Sequence, residues 1–257
     1  MRLSDQIART LDAPPALLPF VPELLQDLEA LSGDVDELLA VLDPIGLSAG
    51  SRVLDLGCGK GAVALALARR HGCRVLGIDG LPAFVEHARE RAREASLAGL
   101  CTFLCEDLRA TLARPHGDGP ADLALLVGVG RPFGTLEDTI LALRNAVRPG
   151  GHLLVDDAFL ADGVPSLEEH PGYADHRATL QALTWHGDHV VTELLRTDSG
   201  EEFLTRTLAQ LTRRAHDLAR VRPELTPLVE EFLATQRRET DELRGPLMPA
   251  LWLLARS

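Results

Sequence analysis

Between Arg52 and Asp157 short apolar runs alternate with amphipathic ones. The runs are Val53 to Leu56, Arg74 to Ile78, Cys101 to Cys105, Asp122 to Val127 and His152 to Val155. Their brevity and near-continuous apolarity are those of strands buried on both faces of a parallel sheet. The segments between them, Ala62 to His71, Leu81 to Ala95 and Thr135 to Val147, place apolar residues at helical spacing, and the second carries Glu and Arg on its polar face. Strands separated by helices predict a parallel sheet with right-handed crossovers. Ligands bind such sheets beyond the carboxyl ends of the strands, where this chain carries Gly57-Cys58-Gly59, Asp79-Gly80, Glu106-Asp107, Gly128 and Asp156-Asp157.

The flanks have a different pattern. Residues 1 to 12 predict a short helix, and Pro14, Pro15, Pro19 and Pro22 an extended apolar linker. Leucines at helical spacing predict helices over Glu23 to Leu31 and Asp34 to Leu42, with Asp34 as a cap. On the C-terminal side, Tyr173 to Trp185 reads as a helix and Asp188 to Arg196 as an alternating strand. Glu201 to Arg220 and Glu224 to Arg244 read as amphipathic helices, and Pro249 to Ala255 as a final strand. The organisation expected is a helical cap over residues 1–47 and a main domain over 48–257, with a helical insertion at about 200–245 that covers the sheet's carboxyl edge.

Composition narrows the partners. The chain has 257 residues, 46% of them apolar and 25% charged, as expected of a soluble globular enzyme. A formal charge of -12 argues against nucleic acid and anionic lipid as partners. Residues 1 to 13 lack an apolar core of signal-peptide length and no later run approaches a membrane span, so a cytoplasmic location is expected. Cys58, Cys73, Cys101 and Cys105 form neither a C-x-x-C pair nor a zinc-type pattern and read as reduced thiols.

The Gly57, Gly59, Gly61 turn between a strand and a helix start is built to let a ligand approach bare backbone. A dinucleotide would place its pyrophosphate there and its ribose on Asp79. Asp55, directly before the turn, would repel a pyrophosphate and welcome an ammonium group. S-Adenosyl-L-methionine carries an ammonium, a sulfonium and no phosphate.

Taken together, these residues resemble the class I S-adenosylmethionine-dependent methyltransferases, with a Rossmann-like, doubly wound, mostly parallel seven-stranded sheet. Val53-Leu54-Asp55-Leu56-Gly57-Cys58-Gly59-Lys60-Gly61 is similar to the family's first motif, which holds the methionine end of the cofactor. Asp79, followed by Gly80 and Leu81, matches the acid that accepts both ribose hydroxyls. Glu106-Asp107-Leu108 resembles the segment that meets the adenine, with Asp107 on its amino group. Asp122 to Gly128 matches the fourth-strand motif beside the transferred methyl, and Leu143 to Gly151 the turn before strand five.

Methyl transfer from a sulfonium is an in-line displacement, to which an enzyme contributes mainly proximity and alignment. A base is required only where the nucleophile keeps its proton. Asp156, Asp157, His170, Tyr173 and His176 follow strand five; of these Asp157, Tyr173 and His176 are the catalytic candidates. Gly150 to Asp157 also resembles the metal-dependent catechol-type O-methyltransferases, but the aspartate which that group carries after strand four is replaced here by Val127-Gly128-Val129-Gly130. No metal is therefore expected. Arg131 is a candidate for an acceptor carboxylate or a solvated side chain, and Phe20, Phe159, Tyr173, Trp185, Phe203 and Phe232 are candidate pocket aromatics. The expectation is transfer to a small organic acceptor. An NADP-dependent reductase and a non-catalytic S-adenosylmethionine-binding protein are the alternatives.

Overall fold

The computed structural model describes residues 3–30, 33–113, 119–164 and 172–257. Along the chain run α1 (Leu3–Thr10), α2 (Val21–Leu24), α3 (Val35–Leu42), β1 (Arg52–Leu56), α4 (Ala62–His71), β2 (Arg74–Asp79), α5 (Pro82–Glu94), β3 (Cys101–Cys105) and α6 (Leu108–Leu112). Then follow β4 (Ala121–Leu126), α7 (Leu136–Ala146), β5 (Val147–Leu160), α8 (His176–Leu183), β6 (His189–Leu195), α9 (Asp198–Val221), α10 (Thr226–Arg244) and β7 (Leu247–Ala255). The strands form one seven-stranded sheet in the order β3-β2-β1-β4-β5-β7-β6. Pairing is parallel from β3 through β5, and β7 runs antiparallel to both β5 and β6.

The continuous apolar runs have the reason the sequence suggests. Val53, Leu123, Leu125, Leu251 and Leu253 face α3, α4 and α5, whereas Leu54, Leu56, Leu126, Trp252 and Leu254 face α7 and α8. Both faces are covered, so every side chain along the central strands meets protein. A further apolar cluster joins Leu17, Val21, Leu24, Leu25 and Leu28 to Leu211, Leu218, Phe232 and Leu233 of α9 and α10 and to Phe84 of α5. The N-terminal segment and the α9–α10 pair thus bury their apolar stripes against each other, as amphipathic helices require.

Several elements depart from the sequence pattern. The proline stretch expected to be extended is a 3-10 turn over Pro15–Phe20 running into α2. The helix expected over Glu23 to Leu31 stops at Leu24, and the chain continues in turns. Strand β5 runs straight past the expected Pro149-Gly150-Gly151 turn, which is absorbed as a bulge. Between two successive pairs with β4, Ala121 with Val147 and Leu123 with His152, those residues are looped out. Gly150 N donates to Arg256 O (2.9 Å) and Arg256 N to Gly151 O (2.8 Å), so β7 holds the bulge within the sheet. The short helix α6 follows from Asp107, whose carboxylate accepts from Arg109 N and caps it.

All four cysteines are free thiols; Cys58, Cys73 and Cys101 are buried and Cys105 is exposed. Among the described residues no helix is long and apolar enough to cross a membrane.

Candidate cofactor pocket and the cavity beside it

Strand order reverses between β1 and β4, whose neighbours lie on opposite sides, so their carboxyl ends open a crevice. The turn after β1 is drawn tight there. Gly57 N and Cys58 N both donate to Ile78 O at the end of β2 (2.8 and 3.0 Å), and Gly59 N donates to Asp79 Oδ2 (2.9 Å). Gly57 has φ +78°, and a Cβ built on it would lie 2.2 Å from Val129 Cγ2 in the loop after β4. Gly59, at φ +51°, has nothing within 4 Å of the place a Cβ would occupy. The first glycine allows two loops to touch, and the second leaves bare backbone beside open space.

This crevice is a pocket. Asp55, Gly57, Cys58, Gly59, Asp79, Gly80, Leu81, Glu106, Asp107, Leu108 and Gly128 all line it, so the structure gathers every residue expected to bind the cofactor. It adds Lys60 of the first motif, and residues with no local sequence signal: Leu3 and Ile7 of α1, Leu25 and Leu28 after α2, Phe84 and Pro132. Leu3, Ile7, Leu25 and Leu28 are more than twenty residues from the glycine turn in the chain, and only tertiary packing brings them over it.

The acids differ in their surroundings. Asp55 is 4% exposed, and its Oδ2 is buried with no hydrogen-bond partner. Burial, and secondarily the charge of Asp79, pushes its pKa up to about 7. An orphaned carboxylate oxygen at a pocket wall is complementary to a cationic donor. Asp79 accepts from Gly59 N and Leu81 N (2.8 Å); burial raises its pKa against the lowering effect of these backbone bonds. Two backbone donors hold the carboxylate and leave it lone pairs for hydroxyl groups. Asp107 is held by Arg109, whose Nε and Nη2 donate to Oδ1 (3.1 Å) and Oδ2 (2.7 Å), and this pairing lowers its pKa. Glu106 Oε2 accepts from Thr111 Oγ1 (3.0 Å).

A second cavity of about 620 Å³ adjoins the first; Thr10 and Gly128 belong to the walls of both. Its walls come from α1, α3, the ends of β5 and β6, and α9 and α10. Asp157 and Tyr173 line it, whereas His176 lines neither cavity. His176 Nε2 is 2.7 Å from Glu193 Oε1, which also accepts from Trp252 Nε1 (2.7 Å), and its ring lies 4.6 Å from that of Phe159. That partnership ties α8 to β6 and β7. His170 lies outside the described residues. Of the aromatic candidates, Tyr173 and Phe203 line this cavity and Phe232 a small neighbouring one, while Trp185 is 72% exposed.

The acids after β5 are paired with arginines. Asp157 Oδ2 accepts from Arg131 Nε (2.6 Å), and Arg131 also donates to Gly172 O and lies over the Tyr173 ring at 5.0 Å. Arg131 is therefore engaged within the protein and mostly covered. Asp156 accepts from Gly128 N (3.1 Å) and from Arg196, which also holds Glu37; burial still raises its pKa to about 6. Burial, then Asp157, raises that of Tyr173, which stays protonated at neutral pH. Among the described residues no group of three or more His, Cys, Asp or Glu side chains is arranged to hold a metal ion.

Fold and pocket together define an α/β protein with a small-ligand site at the switch point of its sheet. Residues 53–151 match the family model described as a methyltransferase domain. The chain is similar to a solved S-adenosylmethionine-dependent methyltransferase from Thiobacillus denitrificans, described in complex with S-adenosyl-L-homocysteine. That likeness has a TM-score of 0.76 and 26% identity, and covers 92% of this chain and 98% of the other. Among curated proteins it is 43% identical over 86 residues to a 23S rRNA (uracil(1939)-C(5))-methyltransferase of Shewanella denitrificans, a match covering 32% of this chain and 18% of that one. It is 27% identical over 170 residues to an O-methyltransferase of Pyrenophora dematioidea, covering 66% and 58%. The chain thus spans well under two thirds of the length of these curated relatives. Residues 53–151 thus carry a methyltransferase domain, and over most of its length the chain is similar to an S-adenosylmethionine-dependent methyltransferase.

Proposed function

We propose that this protein binds S-adenosyl-L-methionine in the first pocket and transfers its methyl group to a small organic acceptor held in the second. Residues 1–47 and the α9–α10 insertion are read as the cover of both. The observation that carries the reading is the unpartnered Asp55 oxygen in a pocket that also presents Asp79. The ionised Asp55 fits an ammonium, and Asp79 fits a pair of ribose hydroxyls. A dinucleotide would bring its pyrophosphate beside two carboxylates, a repulsion that low local polarity strengthens, which disfavours the NADP-dependent reductase. When bound, the cofactor supplies an electrophilic methyl group on sulfur.

The acceptor's class is argued from the second cavity. About 620 Å³ suits a small molecule. Eight acidic side chains line it against two guanidinium groups, Arg196 and Arg206; burial and Asp12 push the Glu239 pKa up to about 9, which leaves seven to carry charge at neutral pH. This surface repels a phosphodiester chain, so the rRNA activity named for one relative does not carry over. Asp157 and Tyr173 stand at the acceptor; Tyr173 orients it by donating its phenolic proton, and Asp157, held by Arg131, fixes Tyr173's surroundings. The protein's work is to align the acceptor with the sulfur and exclude water.

Calorimetry with S-adenosylhomocysteine and NADPH, followed by transfer of labelled methyl to a small-molecule panel and to total RNA, tests this. Expected are binding of S-adenosylhomocysteine alone and label in small molecules only. Binding of NADPH alone would sink the cofactor reading, label in RNA the acceptor reading, and cofactor binding with no transfer to any acceptor would point to the non-catalytic alternative.

A further inference from the structure

Lys60 lies within the glycine turn yet is only 8% exposed. Its ammonium donates to the carbonyls of Leu25 (2.6 Å), Gln26 (2.9 Å) and Leu28 (2.9 Å). Three N–H donors are thereby placed on three acceptors of one short turn. Burial lowers the Lys60 pKa. The carbonyls, and the Phe84 ring with its centroid 5.7 Å from Nζ, offset that loss of hydration.

The acceptors explain why α2 is short. In a continuing helix the carbonyls of residues 25 and 26 would serve the N–H groups of residues 29 and 30. Leucines at 24, 25, 28 and 31 favour such a helix, but it ends at Leu24. Beyond that point the chain lays Leu25, Leu28, Glu29 and Ala30 along the cofactor pocket. Arg91 with Glu29, and Arg213 and Arg214 with Asp27, also hold this turn. Glu29 and Arg213 are largely exposed, and ion pairs of that kind contribute little; the two-pronged Arg214–Asp27 pair steadies the turn from outside, while the Lys60 bonds to Leu25 and Leu28 are the buried ones.

We propose that Lys60 is a positioning residue of the cofactor site: it halts α2 and folds residues 25–30 across the pocket as its roof. The turn that meets the cofactor from below thereby fixes the surface that meets it from above. The proposal rests on the cofactor reading only for the identity of the occupant.

The test compares wild type, Lys60→Met, which keeps an apolar stem without donors, and Lys60→Arg, which restores donors. Amide hydrogen exchange over residues 23–30 reads the roof, and the dissociation rate of S-adenosylhomocysteine reads its effect on the pocket. In wild type the amides of Glu29 and Ala30 should exchange at the rate of an open turn. Lys60→Met should release S-adenosylhomocysteine at least about tenfold faster, with Lys60→Arg recovering most of the loss. An unchanged dissociation rate in Lys60→Met overturns the proposal. If Lys60→Met does not fold, wild-type exchange decides, and helical protection continuing through Ala30 overturns it. If wild type binds no S-adenosylhomocysteine the cofactor reading fails, and a wild-type and Lys60→Met exchange pattern that is the same overturns the Lys60 role separately.

Discussion

Asp55 carries two costs in the free protein, a desolvated carboxylate and an oxygen without a donor. Its pKa rises from 3.8 to about 7 in the fold, so between those values the native state holds a proton that the unfolded chain has lost. Stability from this group is present at low pH and drains away as pH climbs from about 4 to about 7. An ammonium opposite the ionised form reverses the preference. S-Adenosylhomocysteine affinity should therefore rise with pH up to about 7, by as much as about tenfold per unit, and level off above it. Titrations across pH 5 to 8 check this, and Asp55→Asn should bind weakly with a flat profile. Asp79→Ala removes the proposed hydroxyl acceptor and the partner of Gly59 N and Leu81 N; a loss of about 10- to 100-fold in affinity is expected by calorimetry. His176→Ala is a contrast, because its partners are Glu193 and Phe159. It should cost about 1 kcal/mol in urea unfolding and leave methyl transfer within about twofold.

Among elements, the β1 turn is the most specified. Gly57→Ala forces a Cβ to within 2.2 Å of Val129 at φ +78°, whereas Gly59→Ala meets strain at φ +51° but no neighbour. Backbone strain alone costs about 1–2 kcal/mol at either site, so Gly57→Ala should lower the urea midpoint clearly more than Gly59→Ala. This turn was legible because strand, glycines and helix are contiguous and their patterns agree, and the same holds for α4 and β3, whose ends coincide with the apolar runs. The end of α2 was not legible, since the lysine that consumes its carbonyls comes 32 to 35 residues later. Nor was the length of β5, because Pro149-Gly150-Gly151 reads as a turn until Arg256 pairs with it from the far end of the chain. Asp55, Asp79, Glu106 and Asp107 could be assigned by resemblance because each lies at or just beyond the carboxyl end of a strand. The walls of the second cavity, such as Glu239 and Glu242 of α10, have no such anchor in the sequence.

At the scale of the molecule, the sheet divides the chain's work. Its β1–β4 crevice opens the first pocket, and the β5–β7–β6 side lines the second cavity. Trp252 is fully buried there and hydrogen-bonded to Glu193; Trp252→Ala should cost about 3–5 kcal/mol, read as a lowered urea midpoint. Strand β7 lies between β5 and β6, although the ribosome makes it after both. While the nascent chain lengthens, β5 and β6 each present an unpaired edge to the cell, and their contacts await a segment still inside the exit tunnel. Completion of this sheet is therefore deferred until Leu247–Ala255 has left the ribosome. A chain released before Leu247 would expose the β5 edge and leave β6 with no partner strand in a crowded solution, and its fate there would be decided by aggregation and proteolysis rather than by any property of the methyl-transfer site.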